Sequence, residues 1–284
     1  MRFTPSPGFT RRHHLRQLLA GLALAGVWPG ARALVGGAGL QEPDPKAAWA
    51  GVGSLDNGRG GLFSATPLDR RHVITAAHVV AGVDVRRVVF RLSTEGGFFS
   101  GASALHVHPA FRGMVAHNPP ADPTTHHDLA IVRLADPLPE AVPVPPVFTG
   151  DLSGRTLTLV SHGGSTTLVS TGENVVDVIM RDDLGRPATY LFDFDGPDLS
   201  SNRFGPPMRV HGTIGAQREA ALVGGDSGSA AFVFFDGFWW LAGVNSFRIT
   251  FKSPPPDPGG FGVAGGGVVL ATHTDWIQSV LSGN

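Results

Sequence analysis

Val223-Gly224-Gly225-Asp226-Ser227-Gly228-Ser229 is the stretch around which the chain is organised. Two glycines precede an acid, and a serine then sits between that acid and a third glycine. An ordinary strand does not spend three glycines this way. Glycine is favoured where the backbone needs unusual dihedrals or where another group must come close to it. A serine in such a turn exposes its hydroxyl with backbone N–H groups beside it. Acyl transfer needs those two parts: a nucleophile, and donors for the oxyanion that forms. The same letters also fit a glycine-rich surface turn with an incidental serine, so the rest of the chain has to decide.

The chain has 284 residues, of which 42% are hydrophobic and 16% charged, with a net charge of -1. It can bury a core and is not a disordered polymer. The near-zero charge gives no electrostatic footprint for nucleic acid. Its 39 glycines and 23 prolines suit many short strands joined by turns. There is no cysteine, which excludes a disulfide framework, a thiolate metal site and a cysteine nucleophile.

Residues 1–33 read as an export signal. Thr10 to Arg16 is basic, Leu18 to Gly26 is apolar but too short for a stable span, and Ala31-Arg32-Ala33 is a cleavage site of the A-x-A type. The pair Arg11-Arg12 resembles a twin-arginine signal, although His14 stands where a large apolar residue is usual. The mature protein is expected in the periplasm or outside the cell, without a membrane anchor.

Beyond residue 33 the chain reads as all-β. Gly60 to Thr66, Arg71 to Thr75, Val88 to Leu92, Ala104 to Val107 and the run after Asp128 are predicted strands. Asp136 to Val147 carries Pro137, Pro139, Pro143, Pro145 and Pro146, a stiff connector and the expected boundary between residues 34–147 and 148–284. Strands are predicted again at Thr156 to Ser161, Val175 to Met180, Ala188 to Phe194, Ala230 to Phe235, Phe238 to Val244 and Val268 to Ala271. Thr274 to Leu281 reads as a short helix with an apolar stripe, capped by Thr274 or Asp275. His106 and His108 share a strand face, but no third ligand is suggested and no metal is expected. Asp193, Asp195 and Asp198 do not fit calcium-loop spacing and are expected in a solvated loop.

Three groups stand out in chain order: His78 after Ala76-Ala77, Asp128 at the mouth of an apolar strand, and Ser227. Thr75-Ala76-Ala77-His78, His127-Asp128-Leu129-Ala130 and Gly225-Asp226-Ser227-Gly228-Ser229 together resemble the three motifs of the chymotrypsin-like (trypsin-like) serine peptidases. Ser229 stands where glycine is usual. Val107-His108-Pro109 and Ser161-His162-Gly163-Gly164 are weaker echoes, the second lacking the usual tryptophan. The resemblance covers residues 34–284. It implies two antiparallel six-stranded β-barrels followed by a short C-terminal helix. The site would lie between the barrels, with no cofactor and a polypeptide substrate, in a protein expected to be a monomer.

The resemblance also assigns roles. Ser227 would be the nucleophile, His78 the base and Asp128 its partner. The backbone N–H groups of Gly225 and Ser227 would form the oxyanion hole. Ser246 would bond the aspartate and line the substrate strand. Asp226 would pair with a freed N-terminal amine, and Leu34-Val35-Gly36-Gly37, directly after the A-x-A site, resembles that N-terminal motif. Ala221, Phe247 and Gly267 would shape the primary pocket, with Arg248 at its wall. An uncharged Ala221 argues against Arg or Lys specificity. An α/β-hydrolase would need the order Ser, acid, His, drawing on Asp236 or Asp257 and His273, and its elbow fails at Ser229. A peptidase-fold binding protein usually lacks a triad member, and all three are present here.

Overall fold

The computed structural model describes residues 33–93, 97–114, 123–197, 201–204, 213–215, 217–251 and 260–283. The basic and apolar stretches of the export signal, and Asp198, lie outside the described residues.

The β-branched segments pair where their side chains meet no water. His72–Thr75 (β5) lies against Ala130–Leu134 (β8), matching Val73 to Val132 and Ile74 to Ile131, all fully buried. Strands covered on both faces read as continuous apolar runs rather than as alternation. Gly53–Asp56 (β3), Leu62–Pro67 (β4), Val89–Leu92 (β6) and Phe98–Val107 (β7) complete a closed antiparallel barrel in the order β3-β4-β5-β8-β7-β6. Between β5 and β6 sits a one-turn helix, Ala77–Val80 (α1).

The second half is an eight-stranded antiparallel sheet. Its strands are Gly39–Gln41 (β2), Thr156–Ser161 (β9), Val169–Val175 (β10), Val178–Arg181 (β11), Pro187–Asp193 (β12), Ala230–Phe235 (β14), Phe238–Thr250 (β15) and Val263–Val269 (β16). They run in the order β11-β12-β16-β15-β14-β9-β10-β2. A second closed six-stranded barrel is expected from the resemblance. The strands that would close it, β10 and β12, meet through Asn174 Nδ2, which donates to the Asp193 carbonyl at 2.7 Å, rather than through a ladder. Two N-terminal strands cross to this half: β2 pairs with β10, and Val35–Gly36 (β1) pairs with Ala220–Ala221 (β13). The chain before β3 therefore serves the second sheet, although it precedes the first barrel in sequence. The connector after β8 is tied to both halves. Arg70 donates to the Pro139 and Val142 carbonyls, and Phe148 N–H donates to the Leu241 carbonyl.

Other expectations are corrected in detail. The strand predicted over Val175 to Met180 is two strands, because the chain changes partner at the break: Val176 N–H turns to the Arg155 carbonyl and Asp177 N–H to that of Leu191. Asp193 and Asp195 are 2% and 3% exposed, not in a solvated loop. Asp193 ends β12 and accepts the backbone N–H groups of Arg203 and Phe204. The helix over Thr274–Leu281 (α2) has the predicted bounds, but no side chain caps it. Thr274 is already inside, its hydroxyl donating to the Ala271 carbonyl, and Asp275 lies in the first turn.

Candidate active site

The three singled-out residues reach one place from three elements. His78 is on α1, where the fully buried Ala76 and Ala77 leave room for the ring. Asp128 lies between a 3-10 turn, Pro123–His127, and β8. Ser227 is in the turn between β13 and β14.

Asp128 has no exposed surface. A buried carboxylate must be paired and hydrogen-bonded, and this one is. Its Oδ1 accepts the His78 backbone N–H at 2.8 Å. Its Oδ2 accepts His78 Nδ1 at 2.7 Å and the Ser246 hydroxyl. With Nδ1 committed as donor, His78 Nε2 is the acceptor for Ser227 Oγ at 2.8 Å. The imidazole side chain is 26% exposed and therefore open on one side.

The glycines have specific work. Gly225 has φ +102° and Gly228 φ +80°, both in the region that favours glycine. A Cβ on Gly228 would lie 2.1 Å from Thr75 Oγ1 and 2.3 Å from the Ser64 carbonyl, so the turn presses directly on the first barrel. Asp226 N–H donates to the Val223 carbonyl at 3.2 Å and Gly228 N–H to that of Asn245 at 2.8 Å. Among the described residues the N–H groups of Gly225 and Ser227 carry no such bond, which leaves both able to donate to a ligand. Such an arrangement can deprotonate a hydroxyl, deliver it to a carbonyl and hold the resulting oxyanion.

Asp226 points away from the hydroxyl. It is buried and accepts Ser161 Oγ at 2.6 Å, Val223 N–H at 2.7 Å and the Leu34 nitrogen at 3.2 and 3.4 Å. Burial pushes its carboxyl up to about 6, and the hydrogen bonds from Ser161, Val223 and Leu34 work against that rise. Gly163 makes the approach possible, since a Cβ there would stand 2.5 Å from Asp226 Oδ1.

A cavity of about 370 Å³ adjoins Ser227, lined by Leu222, Val223, Gly224, Asp226, Ser246, Phe247 and Arg248. Ser246 and Phe247 line it, and the exposed Arg248 stands at its edge. Ala221 and Gly267 stand behind it. Ala221 is buried with Phe194 and Val263, and Gly267 packs on the Tyr190 ring and the Val244 carbonyl. Leu222, Val223 and Gly224, which the sequence reading did not assign to the pocket, form part of the wall just after β13 ends at Ala221.

Behind Asp128 three more imidazoles gather. His108 follows β7, His127 directly precedes Asp128, and His273 ends the 3-10 turn before α2. Burial, with smaller contributions from the neighbouring imidazoles, lowers His108 to about 4 and His273 to about 3, and burial likewise lowers His127. His106, expected to share a face with His108, is not in this group.

The family model for the trypsin-like peptidase domain matches residues 58–237, a span holding His78, Asp128 and Ser227, and the chain belongs to that family. Comparison with curated proteins finds no match.

Proposed function

We propose that the protein is an exported serine endopeptidase in which Ser227, His78 and Asp128 act as a catalytic triad. The continuous chain of hydrogen bonds from Ser227 Oγ through the imidazole to the buried Asp128 carries this reading. Ser227 Oγ attacks the scissile carbonyl while His78 Nε2 takes its proton. Asp128 keeps the imidazole in the required tautomer and stabilises the imidazolium. The Gly225 and Ser227 N–H groups hold the oxyanion. His78 then protonates the leaving amine, and water resolves the acyl-enzyme by the same steps.

The primary pocket is the cavity walled by Leu222, Phe247 and Arg248. The one carboxylate among its described lining residues, Asp226, is already taken up by Leu34, Ser161 and Val223, so a basic side chain finds no free carboxylate among them. Uncharged residues are preferred before the scissile bond. Peptide-library hydrolysis tests both statements. Cleavage should follow uncharged residues, and Ser227→Ala should lower kcat by at least about 10⁴-fold. Hydrolysis that survives in Ser227→Ala, or a profile led by Arg and Lys, contradicts the reading.

Export through the segment before Leu34 fits the placement of the Leu34 nitrogen at Asp226. Removal of that segment after Ala33 would turn this nitrogen into an ammonium facing a buried carboxylate. Signal cleavage would then also complete the site, without a separate activating cut.

A further inference from the structure

We propose that His108, His127 and His273 form a binding site for one divalent transition-metal ion of the zinc class. One ligand nitrogen from each ring lies within 4.8 Å of the other two. A tetrahedral zinc ion with bonds of about 2.0–2.1 Å holds its nitrogens roughly 3.3–3.4 Å apart. His108 Nε2 and His273 Nδ1 are already 3.3 Å apart. The two sides that His127 makes are at most 4.8 Å and close with a movement on the order of 1–1.5 Å by that half-buried ring.

The surroundings favour a ligand over a solvated cluster. His127 Nδ1 is buried without a hydrogen-bond partner among the described residues, and His273, at 3% exposed, is the most enclosed of the three rings. Buried polar atoms are nearly always bonded, so a nitrogen left over in one cluster calls for an explanation. His108 is fixed by two neighbours: it meets His273 edge-on at 4.9 Å and Trp276 covers it at 4.7 Å. It also stacks on His127 at 4.8 Å between centroids with the ring planes 10° apart, and His127 must leave that stack to share an ion with it. Three imidazoles with one side toward solvent leave a fourth position for water, the arrangement of an open zinc site. Coordination has a stated cost. Ala110 N–H donates to His108 Nδ1 at 3.2 Å, which places the ring proton on Nε2. A metal at Nε2 sends that proton to Nδ1, and the Ala110 bond is given up.

Cobalt(II) binding to the purified protein carrying Ser227→Ala tests the site without self-digestion. One equivalent should bind with the intense visible absorption of a four-coordinate nitrogen site, and one equivalent of zinc should abolish that absorption. His108→Gln and His127→Asn should each weaken binding by at least about tenfold. His106→Gln, outside the cluster near the end of β7, should bind as the parent does. Thermal unfolding identifies any variant that fails to fold, and the other then provides the readout. No saturable binding, binding in both cluster variants as strong as in the parent, or loss in His106→Gln would overturn the proposal.

Discussion

Asp226 shows how one residue can have two values in one fold. With the chain continuous through Leu34, burial lifts its carboxyl to about 6, whereas an unfolded aspartate titrates near 3.9. The raised value means that the fold prefers the protonated acid. That contribution to stability is present below about pH 4 and is lost as the pH rises through about 6, a change of about 3 kcal/mol. In a chain that keeps Ala33 and carries Ser227→Ala, stability relative to the Asp226→Asn variant should therefore fall by about that much between pH 4 and pH 7. Urea midpoints across this range measure it. A freed Leu34 ammonium offers the carboxylate a cation, and the same difference should then shrink. A flat difference in the uncleaved chain would contradict the account. At this scale the sequence was most informative where a motif is short and its chemistry demanding. His78, Asp128 and Ser227 were each legible from a few neighbouring letters. The cluster of His108, His127 and His273 was not, because its members are far apart in the chain and only the fold brings them together.

Among the elements, β12 and β15 position the nucleophile turn from within the core. Tyr190 on β12 is fully buried, with its ring against Gly243 and Gly267 and its hydroxyl donating to Asn245 Oδ1 at 2.7 Å. Asn245 on β15 in turn donates through Nδ2 to Ser229 Oγ at 2.8 Å, and its carbonyl accepts the Gly228 N–H. Tyr190→Phe strands one buried acceptor, at a cost of about 1–3 kcal/mol. The backbone bonds of the turn remain, so kcat/KM should fall less than about tenfold while the urea midpoint drops. A collapse of activity at unchanged stability would contradict this division of labour. Strands β9 and β14 and helix α2 were read with their observed bounds because apolar runs and flanking turns mark them in the sequence. The short strands β1, β2 and β13 were missed, since each owes its existence to a partner far away in the chain. Strand β16 begins at Val263, ahead of the predicted start at Val268, which came late because the three consecutive glycines Gly265, Gly266 and Gly267 carry no strand signal. Those glycines are required by packing: a Cβ on Gly266 would lie 2.4 Å from the Tyr190 carbonyl.

For the molecule as a whole, the N-terminal strands bring the chain around Leu34 to the site. β1 runs beside β13, which leads into the Ser227 turn, and places the Leu34 nitrogen at Asp226. The all-β class and the presence of two β units were legible from strand spacing and the proline connector. The open second sheet, and the crossing of residues 35–41 to it, depend on long-range pairing that no local pattern records. The measurement closest to the central claim is labelling by a fluorophosphonate, with the modified peptide identified by mass spectrometry. The protein beginning at Leu34 should carry one adduct, on Ser227. Labelling should be lost in Ser227→Ala and reduced by at least about 10³-fold in rate in His78→Ala. A chain still extended through Ala33 should label more slowly. Absence of an adduct in the Leu34 protein, or an adduct at another residue that persists in Ser227→Ala, would contradict the account.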